Sequence, residues 1–400
     1  MYTTLYKKKI FSKLKPTRMS RKIRMGMVGG SLDAFIGGVH RRAAIMDGEI
    51  ELVCGVFSSN PEKSKETGKA LYLPEERVYR DYEEMILKEK QLPLGERMDF
   101  VAIVTPNHVH HGPTKLALEN GFHVVCDKPV TLNTEEAEEI VRLVEETGLL
   151  FCLTHNYTGY PMVKEARHMI ASGAIGKVRK VIVEYPQGWL STLVEVTGNK
   201  QAAWRTDPSK SGAAGGLGDI GIHAENLAEY ITGLKITQVC ADLTIFVEGR
   251  ALDDDANILL RFDNGAKGIL QNSQIANGEE NDLNIRVYGE TGGLQWKQME
   301  PNSLIHKTNQ GMRMIRTGVG NLSQAAQVHT RIPAGHPEGY FEAFANLYRN
   351  FAFQLRARWE GKTADPVYDF PSARDGLRGM KFIDTVLASD KSDQKWTDFE

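Results

Sequence analysis

The chain has 400 residues, 41% of them hydrophobic, and Lys+Arg 49 against Asp+Glu 51 gives a formal net charge of −2. That length accommodates two domains with a core each, and the charge balance excludes the global basic field of a nucleic-acid-binding protein. No apolar run approaches membrane-spanning length. Cys54, Cys126, Cys152 and Cys240 are scattered without disulfide or zinc spacing, which suits a reducing, cytoplasmic setting.

The first residues stand apart. Lys7, Lys8, Lys9, Lys13, Lys15, Arg18, Arg21, Lys22 and Arg24 occur with no acidic residue among them. There is no apolar segment of the kind an export signal needs. Residues 1–22 read as a disordered basic tail, with Met19 an alternative start.

From Ile23 the pattern becomes regular. Strands are expected over 23–28, 51–57, 100–105, 122–126 and 149–154. Helices fall between them over 36–46, from Pro61, over 82–90, over 114–120, and from Asn133 to Gly148. Asn133 with Glu136 three residues on forms a capping box, and Gly148 is a helix stop. Strand alternating with helix predicts a parallel, doubly wound α/β sheet over residues 23–154.

After a helix over 161–172 the rhythm changes. Residues 178–185, 236–247, 257–262, 266–275, 283–288 and 294–296 read as strands, with Asn264-Gly265 as a hairpin turn. Residues 155–400 are expected to form an α+β domain around a large, open, predominantly antiparallel sheet. A helix over 337–356 with an aromatic stripe is expected to close this second domain, followed by one over 372–387. An open sheet face also favours a homo-oligomer, a dimer or a tetramer.

Three stretches carry chemistry. The first strand ends in Gly29-Gly30, and Phe35 and Ile36 open the next helix; glycines here let backbone approach a dinucleotide pyrophosphate. The second strand ends in Phe57-Ser58-Ser59-Asn60 rather than in an acid. Ser58 and Ser59 can bind ribose hydroxyls, whereas Lys63 could accept a 2′-phosphate, so NAD is preferred with NADP left open. At the third and fourth strand ends stand Thr105-Pro106-Asn107-His108-Val109-His110-His111 and Asp127-Lys128-Pro129. Three histidines in one loop invite a metal reading, but no carboxylate or cysteine stands nearby at ligand spacing, and no metal is expected.

The third stretch is Gly218-Asp219-Ile220-Gly221-Ile222-His223. Asp219 and His223 lie one helical turn apart, within reach of each other. A carboxylate that orients a neutral imidazole makes it a useful base near neutral pH.

Together, T-P-N-x-x-H (105–110), D-K-P (127–129) and G-D-I-G-I-H (218–223) resemble the Gfo/Idh/MocA family of glucose–fructose oxidoreductases and inositol dehydrogenases. The resemblance covers residues 23–387; Asp127 replaces the more common glutamate of the lysine motif. Further stretches, at 154–162, Gln187-Gly188-Trp189, 204–208 and 335–340, resemble the levoglucosan dehydrogenase branch, whose members oxidise carbon 3 of a pyranose. The resemblance implies a Rossmann domain that binds NAD through Gly29, Gly30, Phe35, Ile36, Ser58, Ser59, Lys63, Thr105, Pro106, Asn107, His110, Asp127 and Lys128. It implies a sugar or polyol pocket of Lys128, Tyr157, Gln187, Trp189, Arg205, Asp219 and His223, with His336 a further candidate.

In that reading His223 is the base, Asp219 orients it, and Lys128 stabilises charge on the reacting oxygen. Trp189 and Trp204 offer flat faces to a sugar ring. The competing readings are an inositol dehydrogenase, a redox-neutral glycosidase that retains NAD, and a dinucleotide-binding sugar sensor without turnover.

Overall fold

A computed structural model describes residues 21–400. The basic tail read over residues 1–22 therefore lies, except for its last two residues, outside the described part of the chain. Among the described residues no helix is long and apolar enough to cross a membrane.

The first unit is built from β1 (Ile23–Gly29), α1 (Phe35–Met46), β2 (Ile50–Val56), α2 (Pro61–Ala70), α3 (Tyr82–Gln91), β3 (Phe100–Val104), α4 (His111–Glu119), β4 (His123–Cys126), α5 (Thr134–Thr147) and β5 (Phe151–Leu153). The five strands are parallel in the order β2-β1-β3-β4-β5. Period-two alternation sends side chains to both faces. In β3, Val101 and Ile103 join the core on one face, and Phe100, Ala102 and Val104 join the core on the other. Asn133 caps α5 through the amide of Glu136, and Gly148 ends it in the left-handed region, as predicted; the Glu136 carboxylate accepts from the Leu132 amide at 3.1 Å rather than from Asn133, so the expected capping box is half formed.

The second unit follows with α6 (Pro161–Ala171), β6 (Val178–Pro186), α7 (Lys200–Arg205), α8 (Pro208–Ser211), a π-helical turn at Leu217–Gly221 leading into α9 (Ile222–Thr232), β7 (Ile236–Thr244), β8 (Asp255–Phe262), β9 (Lys267–Ser273), β10 (Asn284–Gly289), β11 (Gly292–Lys297), β12 (Ser303–Thr308), β13 (Gly311–Arg316), α10 (Gln324–Val328), α11 (Tyr340–Trp359), α12 (Ala373–Asp390) and β14 (Thr397–Asp398). Nine strands form one sheet in the order β13-β12-β11-β10-β6-β9-β8-β7-β14, antiparallel except between β6 and β9. Ala256, Ile258, Leu260 and Phe262 of β8 are buried, whereas Asn257 and Leu259 between them are exposed, so one face is uncovered.

The structure departs from expectation in two places. Strands β12, β13 and β14 were not read as strands; β13 is an edge whose residues are nearly all exposed and show no alternation, and β14 has only two residues. The aromatic helix α11 does not close the second domain. It returns to the first sheet, where Phe351 packs on Phe100 at 4.9 Å between ring centroids and Phe344 packs on His40 at 4.7 Å. Its stripe shares a core with Ile23, Met25 and Val39. A parallel sheet must be covered on both faces, and here the chain's C-terminal part supplies much of one cover. This docking places the start of α11 beside the seam between the two units.

Candidate active site

The glycine turn after β1 has the geometry a dinucleotide needs. Gly29 and Gly30 have φ of +86° and +76°, a region L side chains avoid. A Cβ on Gly30 would lie 2.9 Å from Gly37 Cα, and one on Gly37 would strike Gly30's backbone. Gly37 thus lets α1 pack against the turn. Ala34 at the helix N-cap supplies no side-chain acceptor, so the first amides of α1 remain available to an anion. The spacing departs from a strict GxGxxG because Ser31–Ala34 lengthen the turn. Phe35 and Leu32 on this turn are exposed; Ile36 is half buried.

Two further strand ends meet this crevice. His110 ties them together, with Nδ1 2.7 Å from the Pro129 carbonyl and Nε2 2.8 Å from the Thr105 carbonyl. His111 instead faces Glu139 Oε2 at 2.6 Å. Asn107 donates to the Ser211 carbonyl at 3.0 Å, anchoring this loop to α8. The Thr105 hydroxyl is buried with no protein partner, and Ser58 Oγ accepts only from the Asn60 amide, so both remain free to meet a ligand's polar groups. The glycine cradle, uncapped amides and unpartnered Thr105 hydroxyl fit a nicotinamide dinucleotide.

Asp127 follows β4 and is held within the first unit. Its Oδ1 accepts from the Lys128 amide at 2.9 Å and from Thr154 Oγ1 at 2.8 Å. Lys128, at the same strand end, reaches across the seam and donates to Asp219 Oδ1 at 2.9 Å and to the Asp219 carbonyl. Asp219 Oδ2 also accepts from Gln274 Nε2 at 2.9 Å and lies 3.3 Å from Arg205 Nε. Burial pushes the Asp219 carboxyl up, but Lys128 and Arg205 outweigh that and hold it below its usual range.

The glycine run before α9 is explained by close approach. A Cβ on Gly215 would sit 2.9 Å from Leu252 Cβ and collide with the Asp253 carbonyl. The Asp253 carboxylate accepts from the amides of Gly215 at 2.6 Å and Leu217 at 2.7 Å, which caps the segment. The π-helical turn that follows displaces Asp219 and His223 from simple α-helical stacking.

Asp219 was expected to orient His223. Instead its carboxylate is taken by Lys128, Gln274 and Arg205, and the ring that meets His223 is His155, Nδ1 to Nδ1 at 3.2 Å. Burial first, then Lys128 and His155, push the His223 imidazole well below its ordinary value, with Asp219 opposing. His155, also buried, is lowered to about 4, and its Nε2 has no partner. Both rings are therefore neutral near pH 7.

A polar chain runs outward from His223. Tyr157 packs edge-on to His223 at 4.9 Å and hydrogen bonds with Tyr185, whose hydroxyl donates to Asn281 Oδ1 at 2.8 Å. Gln187 donates to the same Asn281 oxygen at 2.5 Å and accepts from Trp189 Nε1 at 2.9 Å. The Trp189 indole is 37% exposed, leaving a face for a ligand. The Arg205 guanidinium lies over both indoles, at 4.2 Å from the Trp204 ring centroid and 6.0 Å from that of Trp189, so Trp204 is the more closely covered.

Lys128, Tyr157, Gln187, Trp189, Arg205, Asp219 and His223 thus converge on one place. His336 does not join them; it is exposed in a turn, its Nδ1 3.1 Å from the Pro333 carbonyl. Residues that sequence reasoning passed over are His155, Tyr185, Gln274, Asn281 and Tyr340. Tyr340, at the start of α11, lies within electrostatic range of Tyr157, Asp127 and Asp219. His155 had a usable signal, since it follows β5 at the same edge of the sheet as Lys128. Gln274 and Asn281 lie just beyond β9 and before β10 and carry no local motif.

Residues 23–155 match the oxidoreductase family with an NAD-binding Rossmann fold, and residues 163–295 match the GFO/IDH/MocA C-terminal domain. The chain is 31% identical to the oxidoreductase YfiI of Bacillus subtilis, across 96% of this chain and 98% of that one. It is 29% identical to levoglucosan dehydrogenase of Pseudarthrobacter phenanthrenivorans, over 54% of this chain and 62% of the other. Its fold matches an inositol dehydrogenase homolog from Azotobacter vinelandii, solved with NADH and myo-inositol, with a TM-score of 0.88 and 32% identity over 96% of this chain and 100% of that one. With both domains matched in order and a glycine cradle shaped for the dinucleotide, this chain belongs to the Gfo/Idh/MocA family of NAD-binding oxidoreductases.

Proposed function

We infer that the protein moves hydride between NAD and a secondary hydroxyl, at carbon 3, of a pyranose sugar or glycoside. The observation that carries this reading is the contact across the seam. The Lys128 ammonium, from the dinucleotide-binding unit, is bound to Asp219 one turn before a buried, neutral His223. The hydroxyl, amide and indole groups that continue from His223 are the types that bind sugar hydroxyls and the C–H face of a sugar ring. The likeness to levoglucosan dehydrogenase supports a pyranose.

NAD, when bound, supplies the acceptor for the hydride leaving the alcohol carbon. Gly29, Gly30 and the first amides of α1 would hold its pyrophosphate, and Ser58 and Ser59 its ribose. His223 takes the hydroxyl proton at Nε2. For that nitrogen to accept, Nδ1 must carry a proton and donate to His155 Nδ1, which places the His155 proton on its own Nε2. Lys128 stabilises negative charge on the reacting oxygen. Asp219 positions Lys128 and balances its charge. Gln187, Tyr157 and Arg205 orient the ring, and Trp189 stacks on it.

The test is NADH formation with levoglucosan, alkyl glucosides and inositols, NAD and NADP in parallel. The reading expects oxidation of a pyranose with a 3-keto product by mass and NMR. Reaction with inositols alone would replace the sugar with a cyclitol. Glycoside cleavage without net NADH, or binding without any turnover, would overturn the dehydrogenase.

A further inference from the structure

In a doubly wound fold the adenosine ribose lies at the carboxyl end of the second strand, where an acid binds the 2′-hydroxyl and repels a 2′-phosphate. Here β2 runs into Phe57-Ser58-Ser59-Asn60 with no carboxylate at the strand end; the first acid, Glu62, comes only in the first turn of α2. Two serines and the Lys63 ammonium in the first turn of α2 would by themselves suit a phosphate. Yet the chain belongs to a family described as NAD-binding. The discriminating charge must come from elsewhere, or be absent.

The structure supplies it from the glycine turn. Lys63 Nζ donates to Asp33 Oδ2 at 2.6 Å. Asp33 lies in Ser31–Ala34, the four residues that lengthen the turn beyond a strict GxGxxG. Ser31 Oγ donates to its other oxygen at 2.6 Å, and Lys200 Nζ of α7 lies 3.2 Å from Oδ2. The carboxylate is therefore held in place on both oxygens. The lysine that would welcome a phosphate is already neutralised by a group that would repel one.

We propose that Asp33 selects NAD against NADP, acting from the lengthened glycine turn in place of the acid that β2 lacks. The mechanism is electrostatic: Asp33 engages the Lys63 and Lys200 ammoniums that would otherwise meet a 2′-phosphate, and sets a carboxylate beside them that a phosphate would have to approach. The inference rests on the cofactor class alone, and it stands whichever alcohol is oxidised.

Binding of NAD⁺ and NADP⁺ to the purified chain, without substrate, tests this by calorimetry at low ionic strength, where a half-exposed charge is least screened. In Asp33→Asn, NADP⁺ is expected to bind at least about tenfold more tightly, with NAD⁺ affinity held within about threefold. Adding Lys63→Ala and Lys200→Ala to that variant is expected to remove the gain, because the two freed ammoniums are its source. Asp33→Ser, measured in parallel, is expected to behave as Asp33→Asn and covers the case in which that variant does not fold. An unchanged NADP⁺ affinity, equal loss of both cofactors, or a gain that survives removal of both lysines would each overturn the proposal.

Discussion

Lys128→Met removes the ammonium that joins the two units while keeping most of the side chain's volume. Lys128 donates to Asp219 twice, through the carboxylate at 2.9 Å and the carbonyl, with both side chains largely shielded. The variant should still fold, because Asp219 keeps Gln274 at 2.9 Å and Arg205 at 3.3 Å. Loss of one preorganised donor to a developing oxyanion lowers kcat by about 100- to 1,000-fold, about 3–4 kcal/mol. A second consequence has a definite sign. After burial, Lys128 is the largest influence holding His223 below its ordinary value. Without it the imidazole protonates more readily, so the acid limb of kcat/KM moves to higher pH. Steady-state rates across pH, with NAD⁺ affinity measured separately and expected to change little, check both effects. Turnover near that of the unmodified protein, or an acid limb displaced toward lower pH, refutes the assignment of Lys128 to the reacting oxygen.

Gly37→Ala drives a methyl group into the backbone of Gly30, with the Gly30 carbonyl carbon only 2.9 Å away; we expect at least about tenfold weaker NAD⁺ binding and about 1–3 kcal/mol lost from stability, read by calorimetry and urea unfolding. Glu225 on α9 has a buried Oε2 without a partner, beside a cavity of about 320 Å³, and burial, then Glu229, push its carboxyl well above the usual 4.5. Its native state favours the protonated acid, so stability is full below pH 4.5 and declines as pH rises through the raised value. Glu225→Gln should therefore raise the unfolding free energy at pH 8 by about 1–2 kcal/mol and leave it unchanged at pH 4; an equal effect at both pH values contradicts this. His40 and His155 are lowered by burial to about 4 and His329 to about 3. Each favours the fold above the unfolded value of 6.5 and withdraws about 3 kcal/mol as pH falls toward 4, so a urea midpoint that stayed constant between pH 7 and 4.5 would count against their neutrality.

What was readable from sequence was local. Period-two runs and helix punctuation located the five parallel strands, and the Asn133 cap and Gly148 stop behave as their residue types require. A motif at a strand end pointed to Lys128, because a parallel sheet presents its carboxyl edge to a ligand, and the glycine run entering a helix pointed to His223. Strand β13 escaped notice for a local reason as well, since an exposed edge has no buried face to impose alternation.

Partnership was decided by tertiary structure. Lys128 meets Asp219 across 91 residues of chain, and His223 meets His155 across 68. The spacing of Asp219 and His223 could suggest that they pair, but it could not report that Lys128, Gln274 and Arg205 would compete for the same carboxylate. Likewise the aromatic stripe of α11 states that the helix is buried, not which sheet buries it. Apolar burial is non-directional, and an amphipathic face fits any complementary surface. Only the packed chain selects one, and that selection brings Tyr340 to the seam.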